Sequence, residues 1–263
     1  MHLSDYHTHT LRSPDSDARL DSMARAAEAA GLAELCVTDH CDLLNVDGVP
    51  CRTYDWPPAV EQYRDGKSRF SGRLTLKLGI ELGMAHLDPP AATAILAEPE
   101  LDFVLGSVHN LRPEKGGADF YYVPYPDEAA CHAALDDYFT SMAALAATDL
   151  YDVLAHIIYP LRYMSFPISL ERYYSRIRDI LRAAAEGGRG MEVNTYRGRT
   201  VAEWAPILDL YRQAGGEIVT VGSDAHSPEG VGQGIQAACA LLADRGFRYV
   251  CTYEKRRPVF HKL

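Results

Sequence analysis

A chain of 263 residues with 47% hydrophobic and 24% charged side chains has an ordinary globular composition and is long enough to bury a core without staples. Its formal charge of -10 leaves no basic footprint for DNA or RNA, whose phosphates recruit clustered Lys and Arg, so no nucleic-acid partner is expected. Six cysteines without Cys-x-x-Cys spacing and no apolar run of about 18 residues exclude a zinc ribbon, a disulfide scaffold and a membrane span, and a cytoplasmic protein is expected.

The chain opens on a short strand that runs through Asp5-Tyr6-His7-Thr8-His9. Leu20, Met23, Ala24, Ala27 and Ala30 then recur at helical spacing, and Gly31 offers a left-handed stop. Leu35-Cys36-Val37-Thr38 reads as a buried strand ending at Asp39-His40. Further strand-like runs are Leu74 to Ile80, Phe103 to Val108, Asp152 to Ala155, Gly190 to Val193, Glu217 to Val221 and Tyr249 to Thr252. Helices are predicted at about Glu128 to Ala147, Leu170 to Glu186, Val201 to Ala214 and Gly234 to Arg245. Proline-bearing segments from Asn45 to Ser71 and from Arg112 to Asp127 read as irregular or as short helical excursions. The basic run Lys255-Arg256-Arg257 reads as a solvated end.

Strand alternating with helix predicts a parallel sheet, and about seven or eight such units predict closure into a barrel. An open doubly wound sheet is the alternative, weakened by the lack of a Gly-x-Gly-x-x-Gly turn. With no linker or repeat, one domain over residues 1–263 is expected.

Nearly every predicted strand ends in a metal-capable side chain. His7 and His9 end the first and His40 the second; Glu81, His109, His156, Glu192 with Asn194, and Asp224 with His226 follow later ones. Parallel strands in a barrel bring these ends to one rim, and alternate residues share a face, so His7 and His9 point the same way. Imidazoles and carboxylates without thiolates suit Zn, Mn or Fe(II), and this many candidates implies two or three divalent ions, a pattern fitted to hydrolysis. His2, His86, His132 and His261 fall outside the pattern and read as structural or surface residues. Arg162 and Arg197 follow His156 and Asn194 closely. Two guanidinium groups beside metal ions suit a phosphate monoester.

The motifs Asp5-Tyr6-His7-Thr8-His9, Thr38-Asp39-His40, Gly79-Ile80-Glu81, Gly106-Ser107-Val108-His109, Ala155-His156 and Gly222-Ser223-Asp224-Ala225-His226 together resemble the polymerase-and-histidinol-phosphatase (PHP) metal hydrolases. The resemblance implies a distorted (β/α)7 barrel, TIM-like in form, with a trinuclear centre. It implies one metal held by His7, His9, Glu81 and Asp224, a second by Glu81, His109 and His156, and a third by His40, His226 and Asp15. Within the family, Ala155 to Tyr163, Glu192-Val193-Asn194-Thr195 and Glu254 to Phe260 are similar to the histidinol-phosphate phosphatases, which implies release of phosphate from L-histidinol phosphate in histidine synthesis. On this reading Arg162 and Arg197 bind the phosphoryl group, and Asp224, His226 or a metal-bound water protonates the leaving oxygen. Glu114, Asp119 or Asp127 is expected to face the cationic part of the substrate. A related nuclease or nucleotide phosphatase, an amidohydrolase-type barrel and a non-catalytic metal-binding module are the rival readings.

Overall fold

The computed structural model describes residues 1–263. Mostly buried strands run parallel: β1 (Ser4–Thr8), β2 (Glu34–Val37), β3 (His40–Asp42), β4 (Thr75–Gly83), β5 (Phe103–Ser107), β6 (Val153–Leu154), β7 (Gly190–Asn194) and β8 (Val219–Gly222). Their order is β1-β2-β4-β5-β6-β7-β8, with β3 also paired to β4. Covered on both faces, strands such as β4 and β5 read as largely apolar runs, which is why they are visible in the sequence.

β2 and β3 are one strand interrupted at Thr38-Asp39: Val37 pairs with Leu78, and His40 resumes the register opposite Glu81. At the break the Asp39 carboxylate turns aside and accepts the Thr10 N–H at 2.5 Å and the Ser13 hydroxyl at 2.8 Å. The ring closes between β1 and β8 through the Asp224 N–H on the His7 carbonyl and the His9 N–H on the Ala225 carbonyl, each 2.8 Å. The buried Asp5 carboxylate clamps this seam by accepting the N–H groups of Ser223 and Gly232 at 2.8 and 2.9 Å. With the interrupted strand taken as one, this is the distorted (β/α)7 barrel expected from the sequence.

The helices α1 (Leu20–Ala29), α2 (Trp56–Arg69), α3 (Pro89–Ile95), α4 (Glu128–Ala146), α5 (Tyr174–Glu186), α6 (Ala205–Gln213) and α7 (Ile235–Asp244) accompany the strands. Amphipathic faces such as Leu20, Met23, Ala24 and Ala27 of α1 feed a hydrophobic cluster of 62 buried residues. No helix is long and apolar enough to cross a membrane. Of the two readings expected for Asn45 to Ser71, irregular or a short helical excursion, the second holds for its latter half, where α2 runs for 14 residues. Pro57 and Pro58 start this helix instead of breaking it, because the first turn has no use for their missing N–H groups.

One correction concerns the C-terminal basic run. Strands β9 (Tyr249–Glu254) and β10 (Arg257–Lys262) form an antiparallel hairpin across Lys255-Arg256. Both turn residues are left-handed, with φ of 48° and 62°, the twist of a two-residue type I′ connection. Lys255 N–H donates to Asp102 Oδ1 at 3.0 Å, and the Arg256 guanidinium donates to Asp152 Oδ1 at 2.9 Å. Tyr253 enters the barrel interior beside Tyr6 and Phe103, and its N–H donates to the Tyr6 hydroxyl at 2.7 Å. The hairpin therefore closes the barrel floor, opposite the rim where the strand-end histidines meet, while Lys255 and Arg257 themselves stay exposed.

Candidate metal centre

Glu81, at the carboxyl end of β4 and fully buried, is the hub of the rim. Its Oε1 lies 2.8 Å from His156 Nε2 and 3.1 Å from His109 Nε2. Its Oε2 lies 3.0 Å from His7 Nε2, 3.1 Å from His40 Nδ1 and 3.6 Å from His9 Nε2. Asp224 completes this arc, with Oδ1 at 3.5 Å from His9 Nε2 and 3.6 Å from His7 Nε2. On the outer side, Asp15 Oδ2 sits 3.0 Å from His226 Nε2 and 3.6 Å from His40 Nε2. All nine residues singled out as metal candidates thus come together, and groups such as His7, His9 and Asp224, or His7, Glu81 and His156, place one donor atom each within 4.8 Å of one another.

The far nitrogens explain why the near ones point inward as acceptors. His7 Nδ1 lies 2.8 Å from Glu192 Oε1, and His109 Nδ1 lies 2.7 Å from Asp42 Oδ1. His9 Nδ1 meets the Ser13 hydroxyl at 3.1 Å, and His226 Nδ1 meets the Asp224 carbonyl at 3.1 Å. Ser13 already donates its hydroxyl proton to Asp39, so it accepts from His9. In a neutral ring whose Nδ1 carries the proton, Nε2 is a lone pair. Those lone pairs converge on the carboxylates of Glu81, Asp224 and Asp15, and the buried Nε2 of His9 has no hydrogen-bond partner. Acceptors facing acceptors at this range call for cations between them, and the donor set fits Zn, Mn or Fe(II).

The electrostatics point the same way. Burial lowers the His7 imidazole, but Glu192, Glu81 and Asp224 outweigh it and hold the ring well above its usual pKa. His109 is raised likewise, against burial, by Asp42 and Glu81. Burial raises the carboxyl groups of Glu81 and Asp224, yet the surrounding histidines, and for Asp224 also Arg162, hold both well below the usual range. The basin is anionic and takes up positive charge in whatever form is present.

Arg162 and Arg197 both reach this rim, as expected. Arg162 is buried, donates to Asp224 Oδ2 and Asn194 Oδ1 at 2.7 Å each, and lies 4.3 Å from the centre of the Tyr196 ring. Arg197 follows on a left-handed turn (φ 56°), and its guanidinium lies 4.6 Å from the Tyr196 ring centre. Its Nε is buried without a hydrogen-bond partner. A cleft of about 650 Å³ opens above the cluster, lined by both arginines, Asp119 and the tyrosines 121, 122, 159 and 163. Of the acids expected to face a cationic substrate, only Asp119 lines it. Glu114 pairs with Arg112, and Asp127 caps α4 through the Ala130 N–H.

Two residues differ from the sequence reading. Glu192 does not face the cleft but stands behind His7, where it also accepts the His156 N–H at 2.9 Å. Asp42 went unnoticed, although His40-x-Asp42 on one strand repeats the alternation that drew attention to His7-x-His9.

A family model described as the PHP domain matches residues 5–196. The chain is 29% identical over 259 residues to a protein of Clostridium acetobutylicum named "Probable histidinol-phosphatase", spanning 96% of this chain and 97% of that one. It is 24% identical over 257 residues to the histidinol-phosphatase of Lactococcus lactis subsp. lactis, spanning 95% of this chain and 93% of the relative. Among solved structures, the histidinol phosphate phosphatase of Lactococcus lactis, complexed with zinc, L-histidinol and phosphate, shares the fold with a TM-score of 0.85 at 24% identity and covers 98% of each chain. With the PHP-domain model matching residues 5–196, well over half of the chain, and the strand-end histidines and carboxylates gathered on one rim, the protein belongs to the PHP-domain family.

Proposed function

We propose that the protein is a metal-dependent phosphomonoesterase that hydrolyses L-histidinol phosphate to L-histidinol and inorganic phosphate. The observation that carries this reading is the convergence of imidazole lone pairs on Glu81 and Asp224 beneath two arginines that share one cleft. The name borne by the two relatives, matched over nearly their whole lengths, supports the choice of ester.

His7, His9, Glu81 and Asp224 would hold one ion, Glu81, His109 and His156 a second, and Asp15, His40 and His226 a third. Divalent ions so held supply Lewis acidity to a phosphoryl group and acidify water near neutral pH. Arg162 and Arg197 bind and orient the phosphoryl oxygens through charge-assisted hydrogen bonds, and the paired guanidinium groups favour a dianionic monoester over an amide. Asp224, held ionised, and His226 lie on the arginine side of the rim, where they are placed to relay a proton from water to the leaving alkoxide. Tyr121, Tyr159 and Tyr163 wall the cleft above them and Asp119 supplies a carboxylate for a cationic aminol.

The test is phosphate release from L-histidinol phosphate, nucleoside monophosphates and a dinucleotide, each with Zn and with Mn. Turnover concentrated on L-histidinol phosphate is expected. Preference for a nucleotide overturns the substrate assignment, and no release from any ester overturns the phosphatase reading.

A further inference from the structure

Asp42 and Gly83 are register partners across β3 and β4. A methyl group on Gly83 would overlap Asp42 Oδ1, the nearest atom to that position. Gly83 has no positive φ, so its backbone does not call for glycine; the missing side chain matters for the room it leaves. Through that room the Asp42 carboxylate passes over β4 and reaches His109, at the end of β5, where Oδ1 lies 2.7 Å from Nδ1. The other oxygen stays 3.7 Å from His40 Nδ1, beyond hydrogen-bond range.

We propose that Asp42, seated over Gly83, is a positioning residue that fixes the tautomer and ring plane of His109 for metal binding. With the Nδ1 proton directed at Asp42, the Nε2 lone pair is held toward Glu81 Oε1 at 3.1 Å and His156 Nε2 at 3.3 Å. An acceptor behind a metal-binding histidine raises its basicity and fixes its orientation, and removing such a partner commonly costs about 10–100-fold in metal affinity. The inference rests on the reading of this cluster as a metal centre.

The experiment uses the full chain, stripped with a chelator and titrated with Zn²⁺ against a chromophoric competitor, with bound zinc counted by elemental analysis. Wild-type protein that binds no zinc overturns the metal-centre reading itself. Given wild-type binding, Asp42→Ala is expected to weaken one zinc by about 10–100-fold, while Asp42→Asn, which keeps an acceptor, falls in between. Gly83→Ala should reproduce Asp42→Ala, and the double variant should be no weaker than either single one, because both remove the same contact. The stripped variants should keep the wild-type far-UV circular dichroism, with melting temperatures lowered by the lost Asp42–His109 contact alone, and the visible spectrum of a Co²⁺-loaded Asp42→Ala protein should shift. Wild-type zinc affinity in Asp42→Ala overturns the proposal, as does an additive loss in the double variant.

Discussion

Arg162 donates from Nη1 to Asp224 Oδ2 across 2.7 Å, and neither side chain is more than 7% exposed. The pair joins the proposed phosphate clamp to a proposed metal ligand, so one bond couples the two halves of the site. Breaking such a buried pair leaves an uncompensated carboxylate, which costs about 3–5 kcal/mol. Arg162→Met should therefore destabilise the metal-stripped protein by that order in urea unfolding and lower kcat by roughly 100-fold or more. Arg162→Lys, which keeps the charge but loses the planar fork, should lie between the two. Unaltered unfolding in Arg162→Met would show that Asp224 does not depend on the arginine.

Arg197 offers the contrast, since no carboxylate pairs with it and its Nε is free. Arg197→Ala should leave stability within about 1 kcal/mol of wild type. It should lower kcat/KM for a phosphate ester by roughly 10–100-fold, the value of a lost hydrogen bond to a charged group. Steady-state kinetics and a thermal melt on the same preparation separate the effects; intact kinetics remove Arg197 from substrate binding.

Chelation should abolish phosphate release and lower the melting temperature, because the close-set carboxylates and lone pairs around Glu81 lose their counter-charge. Each ion present at about 100 times its dissociation constant contributes about 2.7 kcal/mol. Adding back Zn²⁺ or Mn²⁺ should restore both. Calorimetry with and without chelator reads the first quantity directly, and full activity in metal-free buffer would contradict the scheme.

His86, which is not among the nine candidate ligands and makes no ion pair with them, gives a pH prediction independent of metal. Burial holds its imidazole down at about 4 from 6.5. The unfolded chain then binds more protons than the native one between these values, so stability rises with pH across the window. His86 stays neutral and tolerated above pH 6.5, and its contribution is lost as the pH falls toward 4. The loss reaches on the order of 3 kcal/mol at the lower end. Replacing it in His86→Leu should flatten that slope, measured as the difference in unfolding free energy from wild type between pH 4 and 7. Parallel pH curves for the two proteins would place the buried proton elsewhere.

The barrel and nearly all of its rim were legible in the sequence because buried parallel strands are largely apolar runs and each ends in a side chain of unusual type. What escaped had weak local signals. α2 was left undecided between an irregular segment and a helical excursion, because Pro57 and Pro58 fit a helix only when they fall in its first turn. The C-terminal hairpin turns on Lys255-Arg256, which lack the Asn-Gly or Asp-Gly signature of a left-handed connection. The direction of Glu192, behind His7 instead of into the cleft, depends on strand twist that one-dimensional alternation does not carry. Asp42 follows from the same alternation as His7 and His9, but its partner His109 is 67 residues away.

The hairpin floor bears on the order in which the chain assembles. Tyr6 and Tyr253 are 247 residues apart, and the seam beside them needs Ala225 against His9. While the chain emerges from the ribosome, β1 has a neighbour in β2 on one side only, and the underside of the barrel stays open until Tyr253 arrives. Contacts this distant in sequence form late and slowly. The rim thus waits on Asp224 and Ala225 and the floor on Tyr253, so both ends of the barrel are completed only by the C-terminal part of the chain.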